Sequence, residues 1–242
     1  MLGIRVEFGP ACRKCPSKVN ESAPANDNSS RGPAFSGRTA ARLLQSTGVC
    51  APWRAFGAEA ESMLMDKDAA ALLVVDIQAR LAPAVEGAER IIGRTRLLLE
   101  AAGRLGVPVI ASEQYPRGLG RTDERLLPLP ADAAVIDKTS FSCLREPRLR
   151  AHLDRLGRSQ IVVCGMETHV CVLQSALDLR HAGWDVFVAA DAVGSRTVAN
   201  RQLGLDRMRD RGVDIVDSEM VVFEWLERAG TEDFRAMAPL IK

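Results

Sequence analysis

The chain has 242 residues, 47% of them hydrophobic, which allows one good-sized domain plus an appendage. A formal net charge of +1 gives no reason to expect nucleic acid or an anionic membrane as partner, and no apolar run approaches the roughly 20 residues that span a bilayer. The six cysteines, Cys12, Cys15, Cys50, Cys143, Cys164 and Cys171, are scattered in a way that suits a reducing, cytoplasmic compartment better than a disulfide framework, and the three histidines leave little material for a His-rich metal site.

Residues 1–68 differ from the rest. They include a run rich in Ser, Pro, Asn and Gly and few periodic apolar residues, so they cannot bury enough surface to offset their ordering entropy. Two readings stay open: a disordered leader, or a mis-annotated extension with natural translation starting at Met63 or Met65. Cys12 and Cys15 form a CxxC without a second pair or a strand-helix context, so chance spacing is the favoured reading over zinc or redox use.

The folded part, residues 69–242, alternates strands and helices. Ala71 to Val75 reads as a buried strand ending on Asp76. Pro83 starts a long helix that Gly106 stops after Leu105. A second strand, Val107 to Ala111, runs into a polar loop, Ser112 to Thr122. Ala134 to Ile136 is a third strand, followed by Asp137 and Lys138, and a helix covers Glu146 to Leu156. The central stretch, Ile161 to Ala192, gives strand, helix and strand: Ile161 to Cys164, a helix capped by Thr168 and ending near Gly183, and Val186 to Ala190. Asp191 follows the fifth strand, and a helix covers Val198 to Arg211. A weaker sixth strand is Val213 to Val216. Ser218 caps a helix through Leu226, and Thr231 opens a terminal one. This alternation predicts an α/β fold with a mostly parallel sheet covered on both faces.

In such a sheet ligands bind at the carboxyl ends of the strands. Asp76, Lys138 and Cys171 each fall just past such an end. Alone, each has a bland explanation: helix cap, surface lysine, small core residue. Together, at one edge, they supply a base, a cation and a nucleophile. Cys171 also sits at a helix start, where amide dipoles favour a thiolate, so its thiol pKa is expected to be depressed.

Leu73-Val74-Val75-Asp76-Ile77-Gln78, Asp137-Lys138-Thr139-Ser140-Phe141-Ser142 and Cys164-Gly165-Met166-Glu167-Thr168-His169-Val170-Cys171-Val172 resemble, in combination, the motifs of the isochorismatase-like cysteine hydrolases, a family that includes the nicotinamidases. The resemblance covers Leu72 to about Glu219. It implies a Rossmann-like three-layer sandwich around a six-stranded sheet of order 3-2-1-4-5-6, with Asp76, Lys138 and Cys171 as catalytic residues. It also implies a cis peptide between Met166 and Glu167, which aims the backbone N–H groups of Glu167 and Cys171 at a developing oxyanion. Nicotinamidases hold a metal through an aspartate and histidines after strand two. Here that loop reads Ser112-Glu113-Gln114-Tyr115-Pro116, without histidine, so no metal and no other cofactor is expected, and nicotinamide is a doubtful substrate. The same loop, with the Lys138 segment, looks most like the isochorismatase domain-containing branch.

The resulting expectation is a cysteine hydrolase that cleaves a small amide or related acyl substrate through a Cys171 thioester, with Gln78, Tyr115 and Phe141 as substrate-binding candidates. Cys143 and Cys164 are expected to pack in the core, and His169 to be a helix-start or pocket-wall residue. The alternatives are vinyl-ether hydrolysis, with Asp76 protonating the substrate and Cys171 passive, and a non-catalytic scaffold. True isochorismatases often lack the cysteine, so its presence favours nucleophilic chemistry. The expected partners are a small-molecule substrate and other copies of the chain in a homo-oligomer, not nucleic acid or membrane.

Overall fold

The computed structural model of the chain describes residues 64–241. Six strands, β1 (Ala70–Val75), β2 (Val109–Gln114), β3 (Ala134–Lys138), β4 (Gln160–Met166), β5 (Asp185–Gly194) and β6 (Asp214–Val216), form one sheet in the order β3-β2-β1-β4-β5-β6. Every pairing is parallel. The chain begins in the middle, steps outward to β3, then crosses back to β4 beside β1. The reversal of direction thus falls between β1 and β4.

The pleat explains why β1 reads as an unbroken apolar run. Leu72 and Val74 enter one core while Ala71, Leu73 and Val75 enter the other, so both faces are buried. The first core packs against α1 (Ala88–Leu105), α6 (Ser218–Leu226) and α7 (Glu232–Ile241). The second packs against α3 (Pro147–Leu156), α4 (Leu173–His181) and α5 (Val198–Arg209). A four-residue helix, α2 (Pro116–Leu119), follows β2. Helix α1 shows the expected stripe, with Ile91, Thr95, Leu98 and Ala102 buried along one side.

Several boundaries differ from the sequence reading, for local reasons. Pro83 starts only a single 3-10 turn, Ala82–Ala84, and the left-handed Gly87 separates it from α1. Strands β2, β3 and β5 run further toward their carboxyl ends than their apolar runs do. The ladder continues through polar pairs, Glu113 beside Asp137 and Gln114 beside Lys138. The cap of α6 is Asp217, which accepts from the Met220 N–H at 2.8 Å, whereas the Ser218 hydroxyl donates to Asp191 at 2.6 Å. Leu127-Pro128 is a cis peptide that the sequence did not announce.

Leu64 to Asp68, grouped above with the leader, are attached to the domain. Met65 is buried in the core and its N–H donates to Glu224 at 2.7 Å, while the Asp66 N–H donates to the Gln160 side chain at 2.8 Å. The readings made for residues 1–63, including Cys12, Cys15 and Cys50, lie outside the described residues.

Gly165 is the tightest point of the sheet. Its φ is +124°, and a Cβ there would stand 2.0 Å from the Val75 carbonyl oxygen on β1. Gly165→Ala must therefore push β1 and β4 apart just below the strand ends. It is expected to cost about 3 kcal/mol of stability, read as a shift in the urea midpoint. An unchanged midpoint would show that the two strand ends part freely.

Candidate active site

The register of the central strands decides which side chains meet. Val75 lies beside Ser112 on β2 and beside Gly165 on β4, and Gln114 lies beside Lys138 on β3. One residue past β1 the chain turns at Asp76 through a left-handed conformation, φ 51°, unusual for a non-glycine residue, and its N–H still bonds the Ser112 carbonyl at 3.1 Å. The Asp76 carboxylate is buried and held from three sides. Lys138 Nζ lies 2.7 Å from Oδ2, the Ser112 hydroxyl donates to Oδ1 at 2.7 Å, and the Cys171 thiol bonds the same carboxylate.

Lys138 is as buried as its partner, both side chains being fully shielded from solvent. Its ammonium group also faces Gln114 Oε1 at 2.7 Å and the carbonyls of Ser140 and Phe141 at 3.3 and 3.2 Å. This set of acceptors is what a buried ammonium requires. Burial works against its charge, but the Asp76 carboxylate outweighs it and holds the Lys138 pKa above its ordinary value. Burial pushes the Asp76 carboxyl up, against Lys138 and the hydrogen bonds from Ser112 and Cys171.

Cys171 stands on a π-helical turn, Thr168–Val172, that joins β4 to α4. Helix α5 braces this turn. A Cβ on Gly204 would lie 3.1 Å from the backbone of Thr168 and His169, so a side chain there would press the two backbones apart by a few tenths of an ångström. The turn differs from the α-helix start read in the sequence, and the Thr168 hydroxyl is buried there without capping it. The expected low thiol pKa is also corrected. Burial, then the negative charge of Asp76, push the Cys171 thiol well above its ordinary value, against the opposing charge of Lys138. The thiol rests protonated, bonded to its base.

The Met166–Glu167 peptide is cis, as the resemblance implied. The Glu167 carboxylate turns away to Arg196, whose Nε and backbone N–H donate to it at 3.0 and 3.1 Å. His169 is tied through Nδ1 to the Ser195 hydroxyl at 3.0 Å, consistent with a wall residue. Cys164 is core, its thiol pushed up to about 12 by burial. Cys143 is buried too, with its thiol 3.6 Å from Ser112 Oγ.

Among the substrate-binding candidates, Gln78 is corrected. Its amide is committed to the backbone, donating to the carbonyls of Gln114 and Gly120 at 3.1 and 2.6 Å and accepting from the Gln114 N–H at 2.8 Å. It bolts β2 to the loop after α2 and has no free group for a ligand. Tyr115 and Phe141 are 55% and 53% exposed. Tyr115 borders a cleft of about 670 Å³ that also reaches Arg117, Thr139 and the edge of Lys138. Glu113 is taken up by Arg121 at 2.7 Å and by the N–H and hydroxyl of Thr122 at 2.7 and 2.8 Å. Burial alone would raise its pKa, but these bonds bring it below the ordinary value. Among the described residues no group of three or more His, Cys, Asp or Glu is arranged to hold a metal.

Sequence reading missed Ser112, Gln114, Arg196 and Gly204. Ser112 falls just past the second strand as read, so the strand-end rule that found Asp76, Lys138 and Cys171 reaches it too; Gln114 needed β2 to be read to its true end.

A family model described as Isochorismatase domain matches residues 70–220. The chain belongs to the isochorismatase family. A relative described as secreted isochorismatase effector Isc1, from Phytophthora sojae, is 38% identical over 71% of this chain and 83% of its own length. Among solved structures, one described as the MAR1 ribonuclease from Caenorhabditis elegans aligns with a TM-score of 0.70 and 32% identity, covering 74% of this chain and 92% of that one. The YcaC gene product of Escherichia coli, described as an octameric hydrolase of unknown specificity, aligns with a TM-score of 0.70 and 26% identity, covering 74% and 90%. This isochorismatase-family protein is thus a hydrolase of that superfamily, with the family's α/β fold. No helix among its described residues is long and apolar enough to cross a membrane.

With limiting iodoacetamide, Cys171 is expected to be alkylated before Cys143 and Cys164, because it has its base in contact and retains slight exposure while they have none. Asp76→Asn should slow the reaction by about tenfold or more by removing the proton acceptor. Peptide mass spectrometry reads both, and faster labelling of Cys143 or Cys164 would overturn the assignment of the reactive thiol.

Proposed function

We propose that this protein cleaves a small amide or related acyl substrate through a thioester on Cys171. The observation that carries the reading is the buried Asp76 carboxylate, fixed by Lys138 and Ser112 at 2.7 Å each, with the Cys171 turn after the neighbouring strand β4 set against it. The Cys171 thiol attacks the substrate carbonyl as its proton passes to Asp76. The oxyanion is received by the backbone N–H groups of Glu167 and Cys171. Asp76 returns the proton to the leaving amine as the C–N bond breaks, and water then opens the thioester, restoring the thiol. Lys138 keeps the Asp76 carboxylate oriented throughout. Tyr115 and Phe141 form an apolar rim for a small or planar acyl group.

One observation favours a second reading. Burial raises the Asp76 carboxyl, which suits a proton donor, as vinyl-ether hydrolysis requires. In that case Asp76 protonates the substrate and Cys171 stays passive. A non-catalytic scaffold is disfavoured because a buried Asp-Lys-Cys cluster is costly to keep without use.

The octameric state described for the E. coli structure supports a homo-oligomer, and the exposed Tyr115 and Phe141 supply apolar surface for it. Three buried free thiols suit a cytoplasmic location, while the P. sojae relative is described as secreted; cell fractionation separates the two. Residues 69–242 are read as the hydrolase domain, joined at its start by Leu64 to Asp68.

The deciding experiment is a screen of small amides with ammonia release as readout, with isochorismate-type vinyl ethers and RNA as further substrates. Cys171→Ala is expected to lose amide turnover by a factor of roughly a thousand or more. Near-normal turnover in that variant would move the assignment to vinyl-ether chemistry, and Asp76→Asn should abolish both. Because Glu113 is already paired with Arg121 and Thr122, treatment with a chelator should leave activity unchanged. Loss on chelation with recovery on adding zinc or manganese would contradict this.

A further inference from the structure

Ser112 has no role in the reaction described above, and the mechanism also leaves one buried thiol unused, that of Cys143. The two are in contact with each other, and Ser112 is in contact with Asp76. We propose that Ser112 is a positioning residue for the reaction: its hydroxyl proton, aimed by Cys143, fixes the Asp76 carboxylate and holds down its proton affinity. This rests on the reading of Asp76 as the base for Cys171.

Ser112 is buried at the carboxyl end of β2, beside the last residue of β1. A hydroxyl carries one proton and can accept from others. Its oxygen is 2.7 Å from Asp76 Oδ1, and the carboxylate is an acceptor, so the proton lies on this line. On its other side is Cys143 Sγ at 3.6 Å. Burial keeps the Cys143 thiol as S–H, and because the Ser112 proton lies on the Asp76 line, the thiol is the donor to the Ser112 oxygen. The Cys143 backbone is itself anchored, its N–H donating to Ser175 Oγ at 2.9 Å. With the thiol donating into the Ser112 oxygen, the Ser112 proton has one destination, Asp76.

This gives each carboxylate oxygen a fixed donor: Ser112 from β2 on Oδ1 and Lys138 from β3 on Oδ2. The plane of the carboxylate cannot turn, and its remaining lone pairs are presented to Cys171 on the π-helical turn. The charged and titratable groups that face Asp76 are Lys138 from β3, Cys171 from the turn after β4 and Cys143 from the short helix after Ser142. Of these only Lys138 is charged at neutral pH, and it touches the opposite oxygen. Removing the Ser112 hydroxyl therefore takes away a hydrogen-bond donor to Oδ1, and none of these groups is a second cation that could take its place. The carboxyl then takes up a proton more readily and loses its competence as a base at higher pH.

The test follows the rate of Cys171 alkylation by iodoacetamide, resolved by peptide mass spectrometry, from acidic to mildly alkaline pH on the full chain. The rate should fall on the acid side as Asp76 becomes protonated. Ser112→Ala should move that fall upward by about one pH unit, making labelling on the acid side about tenfold slower. Ser112→Thr, which keeps the hydroxyl, should restore the wild-type profile. If Ser112→Ala does not fold, Ser112→Val against Ser112→Thr gives the same comparison at equal side-chain size, with the shift expected only in the valine protein. Coincident profiles for the wild type and the variants without a hydroxyl would overturn the proposal. So would an equal shift in the threonine protein, which would assign the effect to packing. The profile reports on Asp76 whether or not Cys171→Ala abolishes turnover, so a failed positioning role and a failed nucleophile assignment give different results.

Discussion

The ion pair between Asp76 and Lys138 is the constraint on which the arrangement of the site depends. Two opposite charges fully removed from water are stable only if their remaining donors and acceptors are satisfied. Here β1, β2 and β3 each supply part of that set. Asp76 follows β1, Ser112 and Gln114 come from β2, and Lys138 ends β3 with the carbonyls of Ser140 and Phe141 just beyond it. The strand order places β1 in the middle, so Asp76 can reach β2 and β3 on one side and the Cys171 turn after β4 on the other. A shift of register by one residue in any of these pairings would turn a partner to the opposite face of the sheet.

The same constraint explains why the edge carries so many polar residues inside regular strands. Gln114 shows the density of the wiring. Its side-chain oxygen accepts from Lys138, its side-chain nitrogen donates to the Thr139 carbonyl at 2.9 Å, and its backbone is bolted by Gln78. Glu113, one residue earlier, points to the other side and closes on Arg121 and Thr122. Alternation along β2 therefore separates two polar systems: Ser112 and Gln114 serve the Asp76 cluster, and Glu113 secures the outer loop.

Much of this was legible in the sequence, and what was not has a physical reason. The apolar runs located all six strands: the central ones are buried on both sides, while the edge strands β3 and β6 carry short, partly exposed runs. The family motifs placed Asp76, Lys138 and Cys171 together and named the strand order and the cis Met166–Glu167 bond. The carboxyl ends of the strands were misjudged. Polar residues there are held by tertiary hydrogen bonds, which leave no trace in local hydrophobicity, so Ser112 to Gln114 read as loop. The Cys171 turn looked like an ordinary helix start because the spacing of Val172, Leu173 and Ala176 fits either helix type; the close approach of Gly204, far away in sequence, accompanies the π form. Gln78 looked available because nothing in its own neighbourhood shows that Gln114 and Gly120 consume its amide.

The protonated resting state of Cys171 is consistent with the charge of the cluster. Asp76 and Lys138 cancel, and a neutral thiol adds nothing to the buried net charge. A preformed thiolate would place a second anion beside Asp76 in a setting that already penalises charge, and both effects drive the Cys171 pKa upward. Moving the proton from sulfur to Asp76 transfers the negative charge from oxygen to sulfur without changing the total, and Lys138 stays close to both. In the proposed reaction the charge next moves to the substrate oxygen, toward the backbone N–H groups of Glu167 and Cys171. Each step relocates one negative charge within a frame already built around a single ammonium group. A fixed lysine can serve in this way because its position is set by the fold before any substrate arrives, so the reaction needs little reorganisation of its surroundings.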